Sequence, residues 1–145
     1  MCYNSSTWFL NEKGINMTNK EFHSLRKQLG KTQKRLSELL GTSLRAVQSF
    51  EQGWRNVPSH VERQLLFLMY MKLRSHKDSQ PYWMIRHCSL QIRQACPAWE
   101  FNAGLFCWFI NGTLCQGRAQ DSWIKKMKIC RKCEIFTSSM NPSAP

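Results

Sequence analysis

A chain of 145 residues is the size of one ordinary domain or two small ones, and folded whole it would bury roughly 70% of its unfolded surface, which excludes a large multidomain enzyme. Lysine and arginine number 21 against 9 acidic residues, a formal charge of +12 that points towards nucleic acid or another polyanion, although a merely basic surface would carry the same charge. No apolar run approaches the roughly 18 residues of a membrane span, and the start MCYNSSTWFLNEKGINM has neither a basic n-region nor a sustained apolar stretch. An untargeted, cytoplasmic protein with no membrane association is expected.

The seven cysteines are unevenly spread, with Cys2 alone before residue 88 and the other six between Cys88 and Cys133. The chain therefore divides into an N-terminal tail (1–17), a helical domain (18–74), the polar link SHKDSQP (75–81), a Cys-rich module (82–136) and a disordered tail (137–145) with nothing to bury. Both halves are basic, with 13 basic and 6 acidic residues in 1–80. Neither neutralises the other.

Within the first domain, Thr18 and Glu21 have capping-box spacing, and Phe22, Leu25 and Leu29 share one face of the helix they open. Gly30 ends it. Thr32 can cap a second helix with Leu36, Leu39 and Leu40, and Gly41 supplies the turn to a third helix with Leu44, Ala46, Val47 and Phe50, closed by Gly53. Ser59 and Glu62 repeat the capping-box spacing and open a longer helix with Val61, Leu65, Leu66, Leu68, Met69 and Leu73. That Leu- and Met-rich helix could pair with its twin in a homodimer or cover its own bundle. His23, His60 and His76 are too irregularly spaced for a ligand set.

Two short helices joined by a Gly-containing turn in a basic bundle can dock the second helix in the major groove while the first crosses the backbone. An ordinary helical bundle shares the same periodicity. The string KTQKRLSELLGTSLRAVQSFEQGWRNVP, residues 31–58, closely resembles the phage-repressor (Cro/XRE-like) helix-turn-helix family in Gln33, Ser37, Gly41, Val47, Glu51, Gly53 and Pro58, and the resemblance extends over about residues 18–73. It implies a four- to five-helix repressor-type bundle that binds double-stranded DNA. Gln33, at a helix start, can reach a phosphate or simply cap. Arg45 and Gln48 can make paired hydrogen bonds to guanine and adenine, with Ser49 beside them. The resemblance adds Ser43 and Leu44 as base readers, Leu44 through apolar contact. Arg55 and Asn56 suit phosphates. It also implies an ion pair between Arg26 and Glu51, which makes Glu51 structural rather than catalytic. No nucleophile or general base stands out, so the chain is not expected to be an enzyme. Thiol–disulfide exchange at the later CxxC would lack the βαβ context of a thioredoxin-like site.

A segment as short as the second half rarely stabilises itself by burial alone. Its six cysteines, Cys88, Cys96, Cys107, Cys115, Cys130 and Cys133, are candidate metal ligands, Cys130 and Cys133 as a CxxC pair that can face one ion. Redox thiols, inert thiols and disulfides are the alternatives, disulfides being disfavoured beside a DNA-binding domain in a reducing cytosol. The sequence CPA, then GxxCW, NGTxCxG and a Lys-rich helix ending in CxxC resembles the two-CW domain of bacterial signalling proteins over about residues 82–136, with Tyr82 standing where that family has its first Cys. The resemblance implies a small sensory or metal-binding module. Zinc and an iron–sulfur cluster both suit four thiolates, and no cofactor at all is the remaining option. Trp99, Phe101, Phe106, Trp108, Phe109, Trp123 and Phe136 can shield a cluster or simply form a core. Lys125, Lys126, Lys128, Arg131 and Lys132 can touch DNA or be solvated.

The mainly helical chain is thus expected to be a transcriptional regulator with a metal- or redox-sensing Cys-rich module. The alternative is an antitoxin-like or adaptor protein whose Cys-rich module binds a protein partner.

Overall fold

The computed structural model describes residues 17–74, 81–116 and 118–140, and for Tyr82 the backbone alone. It is mainly helical and divides into two compact units, Met1–Lys72 and Leu73–Pro145. The expected tail 1–16, most of the link 75–81 and the last five residues lie outside the described residues, as does the Tyr82 side chain.

The first unit comprises α1 (Asn19–Leu29), α2 (Gln33–Leu40), α3 (Leu44–Gln52) and α4 (Ser59–Leu73). Its boundaries follow from capping chemistry. The Thr18 hydroxyl accepts from Glu21 N–H at 3.1 Å while the Glu21 carboxylate accepts from Thr18 N–H at 2.8 Å, closing the box at the start of α1. Thr32 and Ser43 cap α2 and α3 by accepting from Arg35 and Ala46 N–H. Gly30, Gly41 and Gly53 end α1, α2 and α3 in the left-handed region, the conformation in which side chains are strained.

Helices α1 and α2 both pack on α3, and Phe22, Leu36, Val47 and Phe50 are buried together, Phe22 and Phe50 meeting edge to face at 5.6 Å. Leu39, expected on the apolar face of α2, is exposed instead, and Leu44, named both among the apolar residues of α3 and as a base reader, is exposed. The start of α4 also differs from expectation. Val61 and Glu62 N–H donate to the Pro58 carbonyl, so Ser59 is already helical, and Glu62 turns inward, 1% exposed, to accept from the Met17 N–H at 3.4 Å. Met17, assigned to the tail by sequence, is buried and belongs to the bundle.

The second unit comprises α5 (Tyr82–Ile85), α6 (Leu90–Ala95), α7 (Pro97–Glu100), a 3-10 turn at Cys107–Phe109, the hairpin strands β1 (Thr113–Cys115) and β2 (Arg118–Gln120), α8 (Trp123–Cys130) and α9 (Glu134–Met140). The strands pair antiparallel with Thr113 opposite Gln120 and Cys115 opposite Arg118, and Gln116 turns the chain at φ 56°. Helix α9 corrects the expected tail: Ile135, Phe136 and Met140 are buried, and the Ser138 and Ser139 hydroxyls donate to the Ile135 carbonyl. Trp108 is the hub of the aromatic core, meeting Phe106, Phe109, Phe136 and Trp123 at centroid distances of 5.2, 5.9, 5.5 and 6.5 Å. Gly104 admits no side chain, because an added Cβ would fall 2.4 Å from Pro81 Cβ and 2.8 Å from the Trp83 ring.

Candidate functional sites

In the first unit the exposed edge of α3 and the chain just beyond it are built on a polar lock. The Glu51 carboxylate receives Arg26 Nε on Oε1 and Arg26 Nη2 on Oε2 at 3.1 Å, together with Gln33 Nε2 at 2.7 Å, and His23 Nδ1 lies 3.1 Å away. Arg26 Nη1 also donates to the Lys31 carbonyl at 2.9 Å, and Asn19 Nδ2 donates to the Glu51 carbonyl at 3.3 Å. One carboxylate thus ties α1, the start of α2 and the end of α3 in a fixed arrangement. Burial pushes the Glu51 carboxyl up, but hydrogen bonds from Arg26, Gln33 and His23 and the Arg26 charge outweigh it and hold the group below the usual carboxylate range. The expected Arg26–Glu51 pair is present, and Gln33, expected as a phosphate contact or a cap, spends its amide on the same carboxylate.

Ser43, Leu44, Arg45 and Gln48 are exposed along one side of α3, and Arg55 and Asn56 follow it on the surface. Ser43 already uses its oxygen as the α3 cap. Ser49, expected beside Arg45 and Gln48, is buried, because it sits where the helix turns towards Phe50 and the core. The Arg55 guanidinium lies 5.7 Å from the Phe50 ring centroid, which steadies it without covering it. Trp54, 77% exposed, is a residue the sequence reading passed over. Its position after the helix-ending Gly53 among polar neighbours was the available signal.

In the second unit the six cysteines Cys88, Cys96, Cys107, Cys115, Cys130 and Cys133 are all free thiols. Cys96 and Cys107 are buried with Ala98 and Ile135, and Cys88 and Cys133 pack against the same cluster. Cys96 Sγ accepts from Leu114 N–H at 3.5 Å, and Cys115 Sγ lies 3.9 Å from Thr113 Oγ1. Burial pushes the Cys130 thiol up to about 12, with Cys115 and Cys133 adding and Lys126 opposing. It pushes Cys107 upward as well, with Cys130 as the strongest charged neighbour. Cys88 is raised by burial and then by Cys96. Cys107, Cys115, Cys130 and Cys133 therefore lie within electrostatic reach of one another, and burial keeps the Cys88, Cys107 and Cys130 thiols protonated and poor nucleophiles. Among the described residues no three His, Cys, Asp or Glu side chains already stand as a metal-ligand set. The donor chemistry fits a thiophilic metal, and closing a ligand shell would require the side chains to converge.

The basic run also divides. Lys125, Lys128 and Lys132 are exposed, whereas Lys126 is 0% exposed and donates through Nζ to Thr113 Oγ1, itself 0% exposed. Of the aromatic residues that could shield the thiols, Trp99 and Phe101 are exposed, and Trp108, Trp123 and Phe136 are buried. Among the described residues no helix is long and apolar enough to cross a membrane. No family model, no curated protein and no solved structure matches the chain.

Proposed function

We propose that the chain is a sequence-specific DNA-binding transcriptional regulator whose first unit reads double-stranded DNA and whose Cys-rich second unit binds a thiophilic metal or responds to redox state. One observation carries the DNA reading: α3 buries Ala46, Val47 and Phe50 while Ser43, Leu44, Arg45 and Gln48 stand exposed along its other side. That outer edge holds an Arg and a Gln one turn of helix apart, side chains able to pair with guanine and adenine in the major groove. Arg55 and Asn56 flank it where phosphates would pass. A net charge of +12 supplies the long-range attraction.

The test is binding to duplexes selected from a random pool. Arg45→Ala should relax preference at one base pair by about 1–3 kcal/mol, whereas Arg55→Ala should weaken all sequences alike and flatten the salt slope by about one. Unchanged gel shifts for both variants would put the interface elsewhere.

A second reading, an antitoxin-like or adaptor protein, is favoured by the exposed apolar side chains Met84, Leu90 and Phe101 in the second unit, at 49%, 62% and 67% exposure. A defined complex with a toxin encoded beside the gene would select it over the sensor reading.

A further inference from the structure

Lys126 is fully buried, and its Nζ donates to the hydroxyl of Thr113, equally buried. Among the described residues no carboxylate is within ion-pair reach of it. An ammonium in an apolar core destabilises the fold unless negative charge or a full set of acceptors compensates it, and a single hydroxyl does not. The groups around it that can become negative are thiols. Cys130 lies one helical turn further along α8, on the same face as Lys126. Cys107 belongs to the 3-10 turn that packs on α8. Cys115 Sγ sits 3.9 Å from the Thr113 oxygen that Lys126 holds.

We propose that Lys126 is the built-in counter-cation of a thiolate metal centre formed by Cys107, Cys115, Cys130 and Cys133, which takes one divalent thiophilic cation. On binding, four S–H bonds break, four metal–sulfur bonds form and four protons leave to water. The product, a divalent ion in four thiolates, carries two net negative charges. Lys126 removes one of them inside the core. Thr113 fixes the ammonium on the Cys115 side, and Cys133 joins through its CxxC spacing with Cys130. Cys88 and Cys96 are left outside the centre. The cost of burying Lys126 in the metal-free protein becomes a preference for the metal-bound one. This assignment rests on the metal-binding half of the proposed function.

The experiment is a cobalt(II) titration of the full-length, reduced protein, followed by sulfur-to-cobalt charge-transfer absorption and with affinities obtained by chelator competition. Wild type should bind one ion. Lys126→Met should bind at least about tenfold more weakly, the effect of losing one compensating charge, while its metal-free form melts at or above the wild-type temperature. Thr113→Val, which takes away the one hydroxyl but keeps the ammonium, should melt lower when metal-free and gain more in melting temperature from cobalt than wild type does. If Lys126→Met does not fold, Thr113→Val decides. Equal cobalt affinity in wild type and Lys126→Met, or no larger gain in Thr113→Val, would overturn the assignment of Lys126 alone. A wild-type protein with no charge-transfer band would overturn the metal centre itself, leaving the DNA-binding reading untouched.

Discussion

Glu51→Ala is expected to destabilise the first unit by about 3 kcal/mol, the lower end of what breaking a buried ion pair costs. The Arg26 side chain is 8% exposed and that of Glu51 4%, so removing the carboxylate leaves a guanidinium in a largely dry site. The loss stays at the lower end because Arg26 Nη1 keeps the Lys31 carbonyl. Gln33 and His23 lose their acceptor in the same step, so the effect spreads over α1, α2 and α3 rather than one contact.

The same carboxylate sets an acid sensitivity. Its pKa in the folded state is depressed, so its contribution is complete above the unfolded carboxylate value, about 4.3. It fades as pH falls below that value and through the lower folded one. Urea melts at pH 7 and near pH 3 should show wild type losing stability on acidification more steeply than Glu51→Gln, which has no proton to take up there. A Glu51→Ala melt within about 1 kcal/mol of wild type, the worth of an ordinary surface pair, would show that the lock does not hold the helices.

What could be read from the sequence was what depends on near neighbours. Thr18 with Glu21, Thr32, Ser43 and the three glycines define helix ends through contacts spanning three or four residues, and each appears at its expected place. The Arg26–Glu51 pair spans 25 residues and was legible only through the resemblance of the 31–58 string to repressor helix-turn-helix domains. Where tertiary packing decides, the same local signals misled. Ser59 and Glu62 have capping-box spacing, yet Pro58 begins the helix a residue earlier and Glu62 is drawn inward by the Met17 N–H. Lys126 lies in a run of basic residues that reads as a solvated face, but Trp123, Met127 and Cys130 pull that side of α8 into the core and carry Lys126 with them. The segment TSSM at 137–140 looks like a frayed end. Ser138 and Ser139 return their hydroxyls to the Ile135 carbonyl and so let Met140 reach the interior. The hairpin at 113–120 went unseen because three-residue strands are too short for an alternation to register. For the candidate DNA edge, spacing located α3 and its polar side correctly, apart from Ser49.

Trp108→Ala is expected to cost the second unit about 3–5 kcal/mol, the range for truncating a buried aromatic. Trp108 is 1% exposed, and four aromatic rings surround it, so little of the void can be filled by a neighbour without breaking another ring pair. The residue before it gives the substitution a second readout. In the tight turn Cys107–Phe109 consecutive side chains diverge: Trp108 enters the aromatic core, and Cys107 joins Cys96, Ala98 and Ile135. Gly104, three residues earlier, lets the chain run close to Pro81 and Trp83. The Cys-Trp dipeptide is therefore the joint between the thiol cluster and the aromatic core, and loosening one side should open the other. In reduced wild-type protein, Cys96, Cys107 and Cys130, at 1%, 6% and 5% exposure, should react with a thiol reagent only on unfolding, well after the half-buried Cys88, Cys115 and Cys133. In Trp108→Ala, Cys107 should join the fast group in buffer without denaturant. A variant that loses the predicted stability yet keeps Cys107 protected would show that the aromatic core and the thiol cluster fold as separate parts, and that Trp108 does not shield the thiols.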